Sequence, residues 1–198
     1  MPRCAKVGAL AAALFPLLAQ AQEPMPGAGP FFLTVQVGGG MGTVAVGGGY
    51  RLARQRLEPE VLVGFVPRRL AGGRALGIIT LKTTYIPFSP RLGQHLRVSP
   101  LAVGGMVSYT LGRRFFLTSQ ATGRYPTKGY YWWSSAVRMG AFLGPRLTYV
   151  APAAQGFRRT TAYAELGTND LYLVSMLSNK TLSPLEILTL GLGTKISR

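Results

Sequence analysis

Apolar residues recur at every second position along most of this chain, and no other feature constrains its fold as strongly. Phe31, Leu33, Val35 and Val37 alternate with Thr34, Gln36 and Gly38. Near the other end, Leu188, Leu190, Leu192 and Ile196 alternate with Thr189, Gly191, Gly193, Lys195 and Ser197. A helix, with 3.6 residues per turn, would scatter either set around its surface. A strand keeps them apart, because successive side chains leave opposite faces.

The same period organises the middle of the chain. Val44, Val46, Tyr50 and Leu52 oppose Thr43, Ala45, Gly47, Gly49 and Arg51; Val61, Val63 and Phe65 oppose Glu58, Glu60 and Gly64, with Leu62 breaking the rule. Ile79, Leu81 and Tyr85 oppose Thr80, Lys82 and Thr84, and Leu101, Val103, Val107, Tyr109 and Leu111 oppose Ala102, Gly104 and Ser108. Val137, Met139, Ala141 and Leu143 oppose Arg138, Gly140 and Gly144. Turn-like connections separate these segments at 38–42, 54–57, 69–73 and 87–93. The pattern predicts an all-β fold, an antiparallel up-and-down β-barrel. Strand number turns on residues 160–177. Read as one long tilted strand, this stretch gives eight strands. Read as two strands around Gly167-Thr168-Asn169-Asp170, it makes ten possible. A chain of this length suits eight with modest loops.

Three regions follow from the local signals. Arg3 and Lys6 precede an apolar run at 7–18, and Ala19-Gln20-Ala21 supplies a small-x-small cleavage site, so residues 1–21 read as a Sec-type signal peptide. Residues 22–30, rich in proline and glycine, read as a linker, and residues 31–198 as the barrel domain. The one cysteine, Cys4, lies inside the expected signal, which excludes a disulfide framework and thiol chemistry from the remainder. After residue 21 there is no run of about 18 apolar residues and hence no expected transmembrane helix. Mean hydropathy is nonetheless positive, at +0.22, as alternation between a lipid-facing side and a polar lumen would produce. The 22 Lys and Arg against 6 Asp and Glu would suit nucleic acid, but the charges fall between apolar stretches rather than in a basic helix or tail. Their placement fits loops meeting anionic lipid headgroups and lipopolysaccharide.

The residues that alternation turns inward are the candidate site. Glu58, Glu60, Lys82, Arg138 and Glu165, with Gln36 beside them, are expected to form an ion-pair network in the lumen, since charges enclosed in a narrow barrel must pair. Tyr130, Tyr131, Trp132 and Trp133, in the long connection 112–134, are expected to form an interfacial aromatic girdle. Catalytic, cofactor and metal sites are not expected. His95 is the single histidine, and Ser99, four residues on, would lie about 13 Å away along a strand. The glycine runs at 38–40 and 47–49 lack the Lys-Ser/Thr of a phosphate loop. Asn179-Lys180-Thr181 reads as a turn.

Together these features resemble the small outer-membrane β-barrel proteins of the OmpA/OmpX type. The likeness rests on the segment from Ala164-Glu165-Leu166-Gly167 to Leu171-Tyr172-Leu173 and on Leu188-Thr189-Leu190-Gly191-Leu192-Gly193. The chain departs from that pattern at Thr194, in an apolar slot, and at Ser197-Arg198, where such barrels end in an aromatic. The resemblance implies residence in the outer membrane of a Gram-negative bacterium, partnership with its lipids, lipopolysaccharide and barrel-assembly machinery, and a structural or surface-interaction role without catalysis. Three alternatives are a lipid-modifying enzyme using His95, a narrow pore, and a soluble periplasmic barrel with an apolar ligand inside. The last would turn Leu188, Leu190 and Leu192 inward and Lys195 outward.

Overall fold

Each segment of period-two alternation forms a strand. A computed structural model of the chain describes residues 30–112, 115, 134–151, 159–178 and 183–198. The strands are β1 (Phe31–Gly38), β2 (Val44–Tyr50), β3 (Leu57–Val66), β4 (Leu76–Tyr85), the two-residue β5 (Arg91–Leu92), β6 (Leu96–Leu111), β7 (Val137–Val150), β8 (Arg159–Asn169) and β9 (Thr189–Ser197). All pairings are antiparallel. β5 only extends the edge of β6. The other eight close into a ring, since β1 pairs with both β2 and β9 while β4 pairs with β6. Closure pairs each of these eight strands on both sides, which removes the open edges an unclosed sheet would have. The expected signal peptide, most of the linker, Asn179-Lys180-Thr181 and the four aromatics at 130–133 lie outside the described residues. None of the helices among the described residues is long and apolar enough to cross a membrane.

The inside–outside split follows the alternation strand by strand. In β1, Phe32, Thr34 and Gln36 are buried while Phe31, Leu33, Val35 and Val37 are about half exposed. In β9, Leu190 and Leu192 face outward and Lys195 is fully buried, the reverse of what a soluble barrel with an apolar cavity needs. Leu62, the exception in β3, is also inside. It packs with Met41, Ala45 and Met106 in a small apolar cluster.

Two elements depart from the sequence expectation. β6 begins at Leu96, with a register shift between Ser99 and Ala102. Arg97 and Ser99 point inward before the shift, and Ala102, Met106 and Ser108 after it, so the odd–even assignment changes within one strand. Pro100, which has no N–H to give a ladder, lies in the irregular stretch. The second departure is at 171–177, which is neither a strand nor the continuation of one. β8 stops at Asn169, and Asp170–Ser178 forms a helix, α1. Asn169 Oδ1 accepts from the Tyr172 amide at 3.0 Å, satisfying one of the free donors of the first turn, and Asp170 places negative charge there. The stretch Leu171-Tyr172-Leu173-Val174 is apolar without alternating, so nothing in it demanded a sheet. The strand count is therefore eight, with ten excluded.

The barrel has two unlike ends. One, the terminal end, holds the start of β1, the end of β9, the β2–β3 turn and the strand ends flanking 86–95 and 151–158. The far end holds the β1–β2 turn, the β3–β4 turn, α1 and the strand ends flanking 112–136. At the terminal end, Ala53, Arg54 and Gln55 take φ of 50°, 56° and 66°, a left-handed conformation that side chains with a Cβ rarely adopt. At the far end, Gly38, Gly39 and Gly40 adopt positive φ without that penalty. They fold Met41 back into the lumen, where it is 1% exposed.

Candidate functional site

Five of the eight strands turn charged residues into a ring of charge inside the barrel. β3 contributes Glu58 and Glu60, β4 Lys82, β7 Arg146, β8 Glu165 and β9 Lys195, all buried. Lys195 Nζ bridges Glu58 Oε2 and Glu60 Oε1, each at 2.9 Å. Lys82 Nζ lies 3.6 Å from Glu60 Oε1 and 2.7 Å from Glu165 Oε2. Arg146 closes the circuit, with Nη2 3.2 Å from Glu165 Oε1 and Nη1 2.6 Å from Glu58 Oε2. Three carboxylates and three cations thus alternate in a closed loop, and the loop is electrically neutral. Arg51, just past β2, attaches to it through Nε at 3.1 Å from Glu58 Oε1.

Neutral groups complete the set. Thr34 donates to Glu60 Oε2 at 2.7 Å. Gln36 Oε1 accepts from Lys82 Nζ and from the Tyr163 hydroxyl, both at 2.9 Å. Arg146 Nη2 also donates to Thr84 Oγ1 at 3.1 Å. Charges this deeply enclosed persist only when their partners replace the water they lost. Every carboxylate of the loop is paired, while Gln36 Nε2, Arg146 Nε and both Nη atoms of Arg51 are buried without a hydrogen-bond partner.

Aromatic rings line the ring of charge, and glycines make room for them. Phe32 sits opposite Gly49, Phe142 opposite Gly104, and Tyr163 opposite Gly193. A Cβ on Gly193 would collide with the Tyr163 ring, and one on Gly104 with Phe142. The rings then offer their faces to the buried cations. Lys195 Nζ lies 4.5 Å from the Phe32 centroid, Lys82 Nζ 4.7 Å from Phe142 and 4.9 Å from Tyr163. Gly104 and Gly193 thus serve side-chain packing inside the barrel.

Four of the five residues expected from the sequence meet in this ring: Glu58, Glu60, Lys82 and Glu165. Arg138 does not. It lies nearer the far end and donates Nη1 to the carbonyls of Ser134 and Val137. The guanidinium comes instead from Arg146, further along the same strand. Sequence reasoning left Arg51, Arg146 and Lys195 out of the network, although Arg51 and Lys195 already stood on the inward faces of their segments. Extending the β7 alternation through Phe142 and Gly144 reaches Arg146. The girdle expected of Tyr130, Tyr131, Trp132 and Trp133 falls outside the described residues.

Towards the far end the lumen narrows to the Met41, Leu62 and Met106 cluster. The gap bounded by Gly39, Met41, Met106, Phe142, Glu165 and Gly167 is too small for a water molecule. His95 lies outside the lumen at the terminal end, exposed, with Nδ1 3.1 Å from the Val150 carbonyl oxygen. Ser99 Oγ instead hydrogen-bonds Ser89 Oγ at 2.9 Å. No known protein family, curated protein or solved structure matches the chain.

Proposed function

We propose that this protein is an integral outer-membrane β-barrel with a structural or surface-interaction role and no catalytic function, reached by export through a Sec-type signal peptide. The observation that carries the reading is the inverted polarity of the barrel. One outward apolar residue from each strand of the ring (Val35, Val46, Val63, Leu81, Val107, Met139, Leu166 and Leu192) is between 42% and 56% exposed, while every carboxylate on β3 and β8 is buried. Such a belt far exceeds the few hundred Å² of contiguous apolar surface that a soluble monomer tolerates. In a bilayer it faces hydrocarbon at no cost, and the closed hydrogen-bond ladder satisfies the backbone.

A structural role fits better than a pore, because aromatic rings, the ring of charge and the methionine cluster fill the lumen. In this reading the far end, where the longest connections start, faces outward. Arg68, Arg69 and Arg74 of the β3–β4 turn then meet lipopolysaccharide phosphates. The test is extraction from isolated envelopes. The protein should resist alkaline carbonate and high salt, dissolve in detergent, and migrate differently on a gel before and after boiling. Release by carbonate alone would defeat the membrane assignment.

A further inference from the structure

α1 is an apolar helix with no charged side. Asp170, at its first position, is the only charged residue in Asp170–Ser178. Leu171, Tyr172, Leu173 and Val174 are consecutive, so at about 100° per residue they reach every side of the helix. Each is between 40% and 49% exposed, and Leu177, a turn further on, is 78% exposed. A helix that is apolar all round belongs in a protein core or in lipid. α1 buries none of its residues against the barrel.

Its position continues the outward belt. α1 follows β8 directly and lies beside β7, β8 and the short 3-10 turn Pro184–Ile187. β8 ends where Asn169 pairs with Gly140 of β7, and Gly140 pairs in turn with Met106 of β6. Beyond that register the two neighbouring strands keep apolar residues exposed on the outside, Met139 on β7 and Val107, Tyr109 and Leu111 on β6. The belt therefore runs on past the end of β8, and α1 stands beside it.

The distribution of apolar residues selects acyl chains over a protein as the cover. A partner protein takes a helix by one apolar face and leaves the other wet, whereas the exposed apolar residues of α1 lie on several sides. Tyr172 adds an apolar body with a polar tip, the chemistry that collects near lipid headgroups. With nine residues, a length of about 13 Å, α1 is confined to one leaflet.

We propose that α1 is a lipid anchor, held among the acyl chains of the leaflet at the far end and within about 10 Å of the headgroups. The proposal rests on the membrane reading above and adds to it a helical contact with lipid.

The test uses the full chain with Cys4→Ser, so that each introduced cysteine is the only one. The protein is folded into phosphatidylcholine vesicles, and folding is checked by heat-modifiable migration. A fluorophore is attached at Leu173→Cys or Leu177→Cys on α1, at Val35→Cys in the belt, or at Arg69→Cys in the β3–β4 turn. The two α1 sites are one turn apart, so either carries the test if the other variant fails to fold. Quenching is read with aqueous iodide and with phosphatidylcholine bearing a nitroxide on its acyl chain. The α1 probes should be quenched by the lipid nitroxide and be about threefold or more less sensitive to iodide than the Arg69 probe. Lipid quenching at Val35 together with α1 probes as open to iodide as Arg69 would refute the anchor and leave the membrane reading standing. A Val35 probe open to iodide would remove the membrane reading, and the anchor with it. Shielding of α1 from iodide without lipid quenching would mean that a second copy or another part of the chain covers it, which also overturns the proposal.

Discussion

Glu58 accepts from Arg51, Arg146 and Lys195, so a single change there takes the carboxylate from Arg51 and leaves Arg146 and Lys195 with one each, Glu165 and Glu60. Glu58→Gln keeps the shape and removes the charge. It is expected to lower unfolding stability by about 3–5 kcal/mol, the usual cost of breaking a buried ion pair from one side, read as a fall in the urea midpoint of the folded form in micelles. The contrast lies at Arg54, whose exposed side chain sits on a backbone at φ 56°. Arg54→Gly relieves a left-handed residue and should raise the same midpoint by about 1 kcal/mol. An unchanged midpoint would mean the turn relaxes without strain. Both residues stand within a few positions of each other, and one acts through buried charge while the other acts through backbone conformation.

At the scale of elements, α1 and the glycine–aromatic pairs are the parts that alternation does not explain. α1 buries none of its residues, so its stability depends on its cap rather than on packing. Asn169→Ala should fray the first turn, at a cost of about 1 kcal/mol, seen as faster amide exchange across 171–174 with the barrel amides unchanged. Within the barrel, Gly193→Val drives a side chain into the Tyr163 ring. The ring must swing away from Gln36 and from the cations above it, at about 1–3 kcal/mol for an overpacked interior. Loss of near-ultraviolet tyrosine signal with retained strand content would report that displacement. An ordinary surface glycine in a strand would show neither effect.

The whole molecule is a barrel whose outside is apolar and whose inside is charged, and its response to a charge should depend on what surrounds it. Val35→Arg, on the outward face midway along β1, is expected to cost about 2–4 kcal/mol when the protein folds into bilayers, measured by urea titration against vesicles. A barrel resident in water would tolerate the same arginine within the range of ordinary surface changes.

Alternation alone determined that the chain is all-β, that Glu58, Glu60, Lys82 and Glu165 share one side of their strands, and that Lys195 opposes its leucines. Side-chain direction in a strand is a local property, and a period of two records it directly. Closure of the ring, the meeting of Arg51, Arg146 and Lys195 with those glutamates, the departure of Arg138 and the helix at 170–178 were decided only by tertiary structure. Register sets how high along the barrel each inward residue sits, and register comes from pairings between distant segments. Lys195 and Glu58 are 137 residues apart in the chain. The alternation places each on an inward face. Only the closed ladder brings them to the same height.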